Sequence, residues 1–286
     1  MTREGPVAGA ARAGFASGMM GLGLLSLLYG SYSLQWEPVP AFVPASCAYL
    51  SGAILVVAAA ALVIRGALAW GALALMAFLG LWVVALKIPE AAGIMPKITK
   101  VSSVIGTILG IFEDIGMACG AWTLYALSLR GGDKPVLKGL SGETGLRMAR
   151  TLFGIACIEY GLAHFAFADF TAAMEPSWLP QRLFFAYLTG AGHVCAGVAL
   201  ITGILPRLAV TLEAVMMSSF VLLVHIPMVI WHRAGEGHLN WTLLFVATSL
   251  ASSAWAISGA LRDRPWGFRK PAAVEALPSS ARTGIG

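Results

Sequence analysis

Eight apolar runs, each about 20 residues long, constrain this chain more than any other feature. They lie at roughly 13–34, 42–64, 67–88, 101–129, 148–172, 183–204, 207–231 and 239–261. As a helix, a run of this length crosses about 30 Å of hydrocarbon at about 1.5 Å per residue. Helix is the form a lone apolar run must take in lipid, where no water satisfies the backbone amides. Composition agrees. Of 286 residues, 58% are hydrophobic and 12% charged, whereas a soluble domain carries about 25% charged residues. The mean hydropathy is +0.80. The expected fold is all-α, a polytopic membrane protein with eight transmembrane helices.

The net charge of +5 and isoelectric point near 9.2 do not indicate a nucleic-acid partner, because the basic residues sit at helix ends. There they orient the chain. With the N-terminus cytoplasmic, fourteen of the 19 Lys and Arg residues fall on the cytoplasmic side, from Arg3 and Arg12 through Arg147, Arg150 and Arg207 to Arg282. Lys87, Lys97, Lys100, Arg182 and Arg233 fall on the other. This positive-inside bias, with Trp36, Trp178, Trp231 and Trp241 near the outer span ends, predicts a bacterial inner (plasma) membrane protein with both termini cytoplasmic. The basic leader MTREGPVAGAARAG runs into an apolar segment too long for a signal-peptide core, so it is read as a true span.

The chain also repeats. AYLSG at Ala48–Gly52 and LKIP at Leu86–Pro89 return as AYLTG at Ala186–Gly190 and VHIP at Val224–Pro227, each 138 residues later. Tyr29-Gly30 is matched with Tyr160-Gly161, and Ala121-Trp122 with Ala254-Trp255. Four crossings per copy give both copies one orientation, a parallel repeat. The expected organisation is two parallel repeated four-helix bundles: 1–130, a cytoplasmic linker at 131–147, the second bundle at 148–262, and a disordered cytoplasmic tail at 263–286. Gly14 with Gly18, Gly106 with Gly110, and Gly116 with Gly120 have the four-residue spacing that lets helices approach closely.

RTLFGIACIEYGLAHF at Arg150–Phe165, PSWLP at Pro176–Pro180, AYLTGAGHVCAGVALITGILPRLA at Ala186–Ala209 and HIP at His225–Pro227 together resemble the DoxX-like family of four-helix membrane proteins. The resemblance covers about 147–232, with a weaker copy in the first half. It implies a bundle that in some members resembles a subunit of a quinone-linked oxidoreductase, thiosulfate:quinone oxidoreductase among them, and in others serves thiol stress or cargo handling. The family's second helix commonly carries an acidic residue where this chain has His193.

Polar residues inside the apolar runs are the functional candidates, because an ionised group at mid-membrane costs at least about 2.5–3.5 kcal/mol. Glu159 and His193 have compatible depths, and a Glu–His unit could pass protons, so these two are the expected catalytic pair. Tyr160, His164, Tyr187 and His225 are the expected ligand-binding residues of an outward-opening cleft, where Tyr and His could hydrogen-bond a quinone carbonyl in an apolar pocket. Glu113 and Asp114, adjacent in the fourth run, form a secondary polar site and point about 100° apart on a helix. Each has a plainer reading as an interhelical hydrogen bond that fixes the bundle. Lys87 reads as a snorkelling end residue. Glu213 reads as a structural charge near the inner surface, pairing with Arg207 or Arg65.

No phosphate-loop, GxGxxG or GxSxG motif occurs, so nucleotide-dependent and elbow-type hydrolase chemistry have no visible site. Cys47, Cys119, Cys157 and Cys195 show no metal or CxxC spacing and read as inert thiols. No intrinsic cofactor and no metal is expected. Haem held by paired histidines is set aside, and a quinone is the one cofactor considered. The expected partners are the lipid bilayer, a redox partner subunit and a second copy of the chain. The leading expectation is a redox-associated subunit binding a quinone or another small lipophilic ligand. The alternatives are a small-solute transporter and a non-catalytic membrane scaffold.

Overall fold

The computed structural model describes residues 6–32, 43–64, 66–97, 99–130, 137–231 and 237–267. Trp36, Arg65, Arg233, part of the expected linker and most of the expected tail lie outside the described residues. Among the described residues the chain is mostly helical and holds no strand. Its elements are α1 (Pro6–Tyr29), α2 (Cys47–Val63), α3 (Leu68–Ile94), α4 (Val101–Arg130), α5 (Gly142–Ala166), α6 (Ala168–Met174), α7 (Arg182–Thr202), α8 (Pro206–Ile230) and α9 (Gly237–Ala260).

Six of these helices are long and apolar enough to cross a membrane, and a seventh span is counted if α5 and α6 are joined. The second expected run, 42–64, forms α2, whose 17 residues reach about 25 Å by helix rise. The expected straight fifth span, 148–172, is instead broken. The chain leaves helical geometry at Phe167 (φ −123°, ψ 37°), and α6 turns away from α5 by 91°. Phe167 packs its ring against Gly106 of α4, where a Cβ would lie 3.1 Å from it, so the bend is held by a side chain seated on a neighbouring helix.

Packing runs α1–α2–α3–α4 in the first half and α5–α7–α8–α9 in the second. The halves are joined by α1 against α9, α4 against α5 and α4 against α9. The last helix of each half thus lies mainly on the first helix of the other. One continuous core results, from Phe15, Met19 and Leu55 through Met117 and Tyr125 to Phe153, Leu200 and Leu250.

Glycine permits the closest approaches. On α5 and α7 a Cβ at Gly161 would sit 2.5 Å from the Gly190 carbonyl oxygen, and one at Gly197 would sit 2.5 Å from that of Gly154. On α1 and α2, Gly23 and Gly52 stand in the same relation at 2.7 Å each. This second pair precedes Gly161 and Gly190 by 138 residues in each case. The contact equivalent to Gly161 is therefore Gly23, not the Gly30 that a Tyr-Gly match suggests. Gly30 instead ends α1 at φ +61°. Of the spaced glycines, Gly14 and Gly18 face Ser252 and Ser249 of α9, and Gly116 and Gly120 face Tyr160 and Ser253.

Helices α3 and α8 each contain a π turn, Val83–Lys87 and Val221–His225. Both stand before Ile-Pro. Pro89 and Pro227 lack the N–H that would bond the carbonyl four residues back, and their rings crowd it. The helix answers by widening, with Ile88 N–H donating to Val83 O and Ile226 N–H to Val221 O, five residues back. The turn re-aims the residue that ends it, Lys87 in one helix and His225 in the other.

Candidate functional site

The buried face of α7 repeats at Ala186, Gly190, His193, Gly197 and Leu200, the spacing of one helix face. His193 therefore points into the bundle and is 2% exposed. On α8 the corresponding face carries Val210, Glu213, Ala214 and Met217. The two faces meet at a 2.7 Å contact between His193 Nδ1 and Glu213 Oε1. Cys157 of α5 donates its thiol to the same Glu213 oxygen across 3.6 Å. The second oxygen, Oε2, is buried without a partner.

Three aromatic rings close around His193. His164 stands edge-on at 5.0 Å, Tyr160 edge-on at 5.8 Å, and Phe220 tilted at 5.9 Å. His164 Nδ1 lies 3.0 Å from Thr189 Oγ1. The Thr189 hydroxyl donates to the Phe185 carbonyl at 2.8 Å. With that proton engaged, the hydroxyl accepts and His164 Nδ1 donates. Tyr160 donates its hydroxyl to Phe112 O at 2.9 Å, tying α5 to α4. The result is a continuous set of polar groups, Cys157, Glu213, His193 and His164, within an apolar bundle. His164, at its end, is only half-buried.

This geometry revises the expected pairing. His193 contacts Glu213, and Glu159 is not its partner. Both Glu159 oxygens are buried without a hydrogen bond. Glu159 faces α4, where Glu113 is its charged neighbour. Arg65 lies outside the described residues, and Glu213 is not paired with Arg207. It is 1% exposed, while Arg207 reaches the Arg264 carbonyl at 3.1 Å. Tyr187 does not line a cleft with the histidines. It lies about 100° round the helix from Ala186, is 47% exposed, and stacks on Phe165 at 6.1 Å. His225 stands apart from the ring cluster, and its Nδ1 is buried without a partner.

The secondary site divides as helix geometry requires. Asp114 is fully buried and Glu113 half-buried. Lys87, read as a snorkelling end residue, is instead 8% exposed. The π turn of α3 brings its ammonium 3.0 Å from Asp114 Oδ2 and aims a proton at Gly110 O, 2.8 Å away. Sequence reasoning missed both Lys87 and Glu213, and the signal lay in helix periodicity. Glu213 shares the face of Val210, Ala214 and Met217, and Lys87 closes the same kind of π turn as His225. Among the described residues, no cluster of three or more His, Cys, Asp or Glu has the arrangement of a metal site. All four cysteines are free.

Long apolar helices packed around a buried polar cluster define a polytopic helical membrane protein. Residues 145–226 match the DoxX family. That segment runs from the start of α5 through the π turn of α8, so it contains Cys157, Tyr160, His164, His193 and Glu213. No curated protein and no solved structure matches the chain.

Proposed function

We propose that the second half of this chain is a redox-associated DoxX-type unit in which the His193–Glu213 pair handles protons for a quinone or similar lipophilic ligand. The observation that carries this reading is the His193–Glu213 contact itself, two desolvated titratable groups 2.7 Å apart in contact with His164. An imidazole hydrogen-bonded to a carboxylate can pass a proton to or from it. His164 is the residue suited to hold the ligand, because it is half-buried and its chain neighbour Phe165 is exposed. A lipophilic ring arriving from the bilayer would meet aromatic surface first and the imidazole next. The orphaned Glu213 Oε2 can carry a proton and pass it by way of His193 toward the ligand, whose reduction to the quinol takes up two electrons and two protons. The quinone supplies the two-electron chemistry when bound, and a partner subunit supplies its electrons.

The same reading takes α2 and the bent α5–α6 pair as crossing segments, giving eight spans in two parallel four-helix units. The shared 138-residue offset of the glycine contacts and the π turns supports this. It also sets the arginine-rich end, with both termini, on the cytoplasmic side of a bacterial inner membrane. The test is mass spectrometry of small molecules retained in native-lipid particles. A quinone carried by the wild type and lost from His164→Leu supports the reading, and a quinone absent from both refutes it.

A second reading, passage of a proton or small cation, is favoured by one observation. Glu159 carries two buried oxygens without hydrogen bonds beside Glu113 at the α4–α5 seam. Flux into proteoliposomes that is abolished by Glu159→Gln would select it.

A further inference from the structure

The end of the bundle where α5 and α8 begin, and α7 and α9 finish, holds a cleft of about 600 Å³. Arg147, Arg150, Arg264 and Glu143 line it, together with the Gly203–Pro206 turn. Arg264 Nη2 donates to Glu143 Oε1 at 2.7 Å, so the one lining carboxylate is taken by one of three guanidinium groups. Arg147 and Arg150 are left as net positive charge. Arg150 Nε is buried and has no hydrogen-bond partner.

The rest of the wall points the same way. Gly203 ends α7 at φ +75°, and even a Cβ there would lie 3.7 Å from an Arg150 guanidinium nitrogen. Helix α8 then starts at Pro206 after Leu205, which is in the left-handed region and offers no side-chain cap. Pro206 has no N–H and Ala209 N–H donates to Leu205 O at 3.0 Å, so the Arg207 and Leu208 N–H groups, with the positive dipole end of this long helix, start beside the cleft wall without a side-chain cap. Arg207 turns away. It lies over the Trp266 ring at 4.0 Å and donates to Arg264 O, which pins the segment after α9 as the far wall.

We propose that this cleft binds a phosphate-type anion, supplied either as an anionic lipid headgroup or as a free phosphate ester. Guanidinium forks match phosphate oxygens in pairs, and an uncapped helix N-terminus donates its N–H groups to a further oxygen. The volume leaves room for a glycerol or other ester group beyond the phosphate. Membrane orientation explains why arginines gather at this end. It does not require them to converge on one cleft, nor to keep a buried N–H without an acceptor.

The experiment uses the full chain in phosphatidylcholine nanodiscs, as wild type, Arg147→Gln/Arg150→Gln, and Glu143→Gln. One arm titrates inorganic phosphate and glycerol 3-phosphate by calorimetry. The other counts phosphatidylglycerol molecules retained in native mass spectrometry after mixed-lipid reconstitution. Saturable binding is expected in one arm, which names the source. It should weaken about tenfold or more in the double arginine variant and tighten in Glu143→Gln, which frees Arg264. Binding in neither arm, or equal binding by wild type and a folded arginine variant, overturns the proposal. If the arginine variant does not fold, Glu143→Gln decides alone, and unchanged binding overturns it.

Discussion

Replacing one member of the His193–Glu213 pair should cost far more than replacing both. The two side chains are 2% and 0% exposed and 2.7 Å apart, a separation typical of charge-assisted bonds. Neutral hydrogen bonds between membrane helices average about 0.6 kcal/mol and reach about 1.7 kcal/mol. A buried pair that loses one partner leaves the other stranded, at a cost of about 3–5 kcal/mol. His193→Phe keeps the ring in its aromatic surround and strands Glu213, and Glu213→Leu strands His193. Each single variant is expected to lose about 3–5 kcal/mol, whereas His193→Phe/Glu213→Leu, which removes both polar groups, stays within about 2 kcal/mol of wild type. The coupling energy is then at least about 4 kcal/mol. Reversible unfolding in bicelles, read by steric trapping, measures all four corners of the cycle. A coupling of about 0.6 kcal/mol or less would refute the claim that the pair is a desolvated unit.

Other consequences follow from single contacts. Lys87→Met strands the buried Asp114 and should destabilise by about 3–5 kcal/mol, with Asp114→Asn restoring much of the loss in the same unfolding assay. Gly161→Ala puts a Cβ 2.5 Å from the Gly190 carbonyl oxygen, so α5 and α7 must separate at about 1–3 kcal/mol. Gly80→Ala, which meets nothing within 4 Å, should be neutral or slightly stabilising in the same measurement. Tyr160→Phe loses the bond to Phe112 O and should cost about 1 kcal/mol, seen as a lowered thermal midpoint.

The helical class and the positions of the runs were legible because lipid leaves an apolar run of 20 residues one backbone solution. The break at Phe167 was not, since no Gly or Pro stands within five residues of it. The bend depends on Gly106, some sixty residues earlier in the chain. The candidate residues Tyr160, His164 and His193 do meet, because i,i+4 spacing on α5 and the depth of His193 on α7 were both readable. The partner of His193 was assigned to the wrong helix. Depth alone matched Glu159 as well as it would match any acid near mid-span, and rotation about the helix axis decided in favour of Glu213. Lys87 failed for a related reason. A lysine at a span end usually reaches for water, but the π turn before Pro89 rotates it toward Asp114. The Ile-Pro sequence signalled that turn, although its effect on side-chain direction was not visible from spacing.

The central claim is that the His193–Glu213 pair takes part in proton exchange with a bound quinone. Infrared difference spectroscopy during quinone reduction, on the reconstituted protein and its Glu213→Gln variant, tests it most directly. A carboxyl signal that changes as the quinone is reduced, and that disappears in the variant, is the expected result. Difference spectra identical in the two proteins would contradict it.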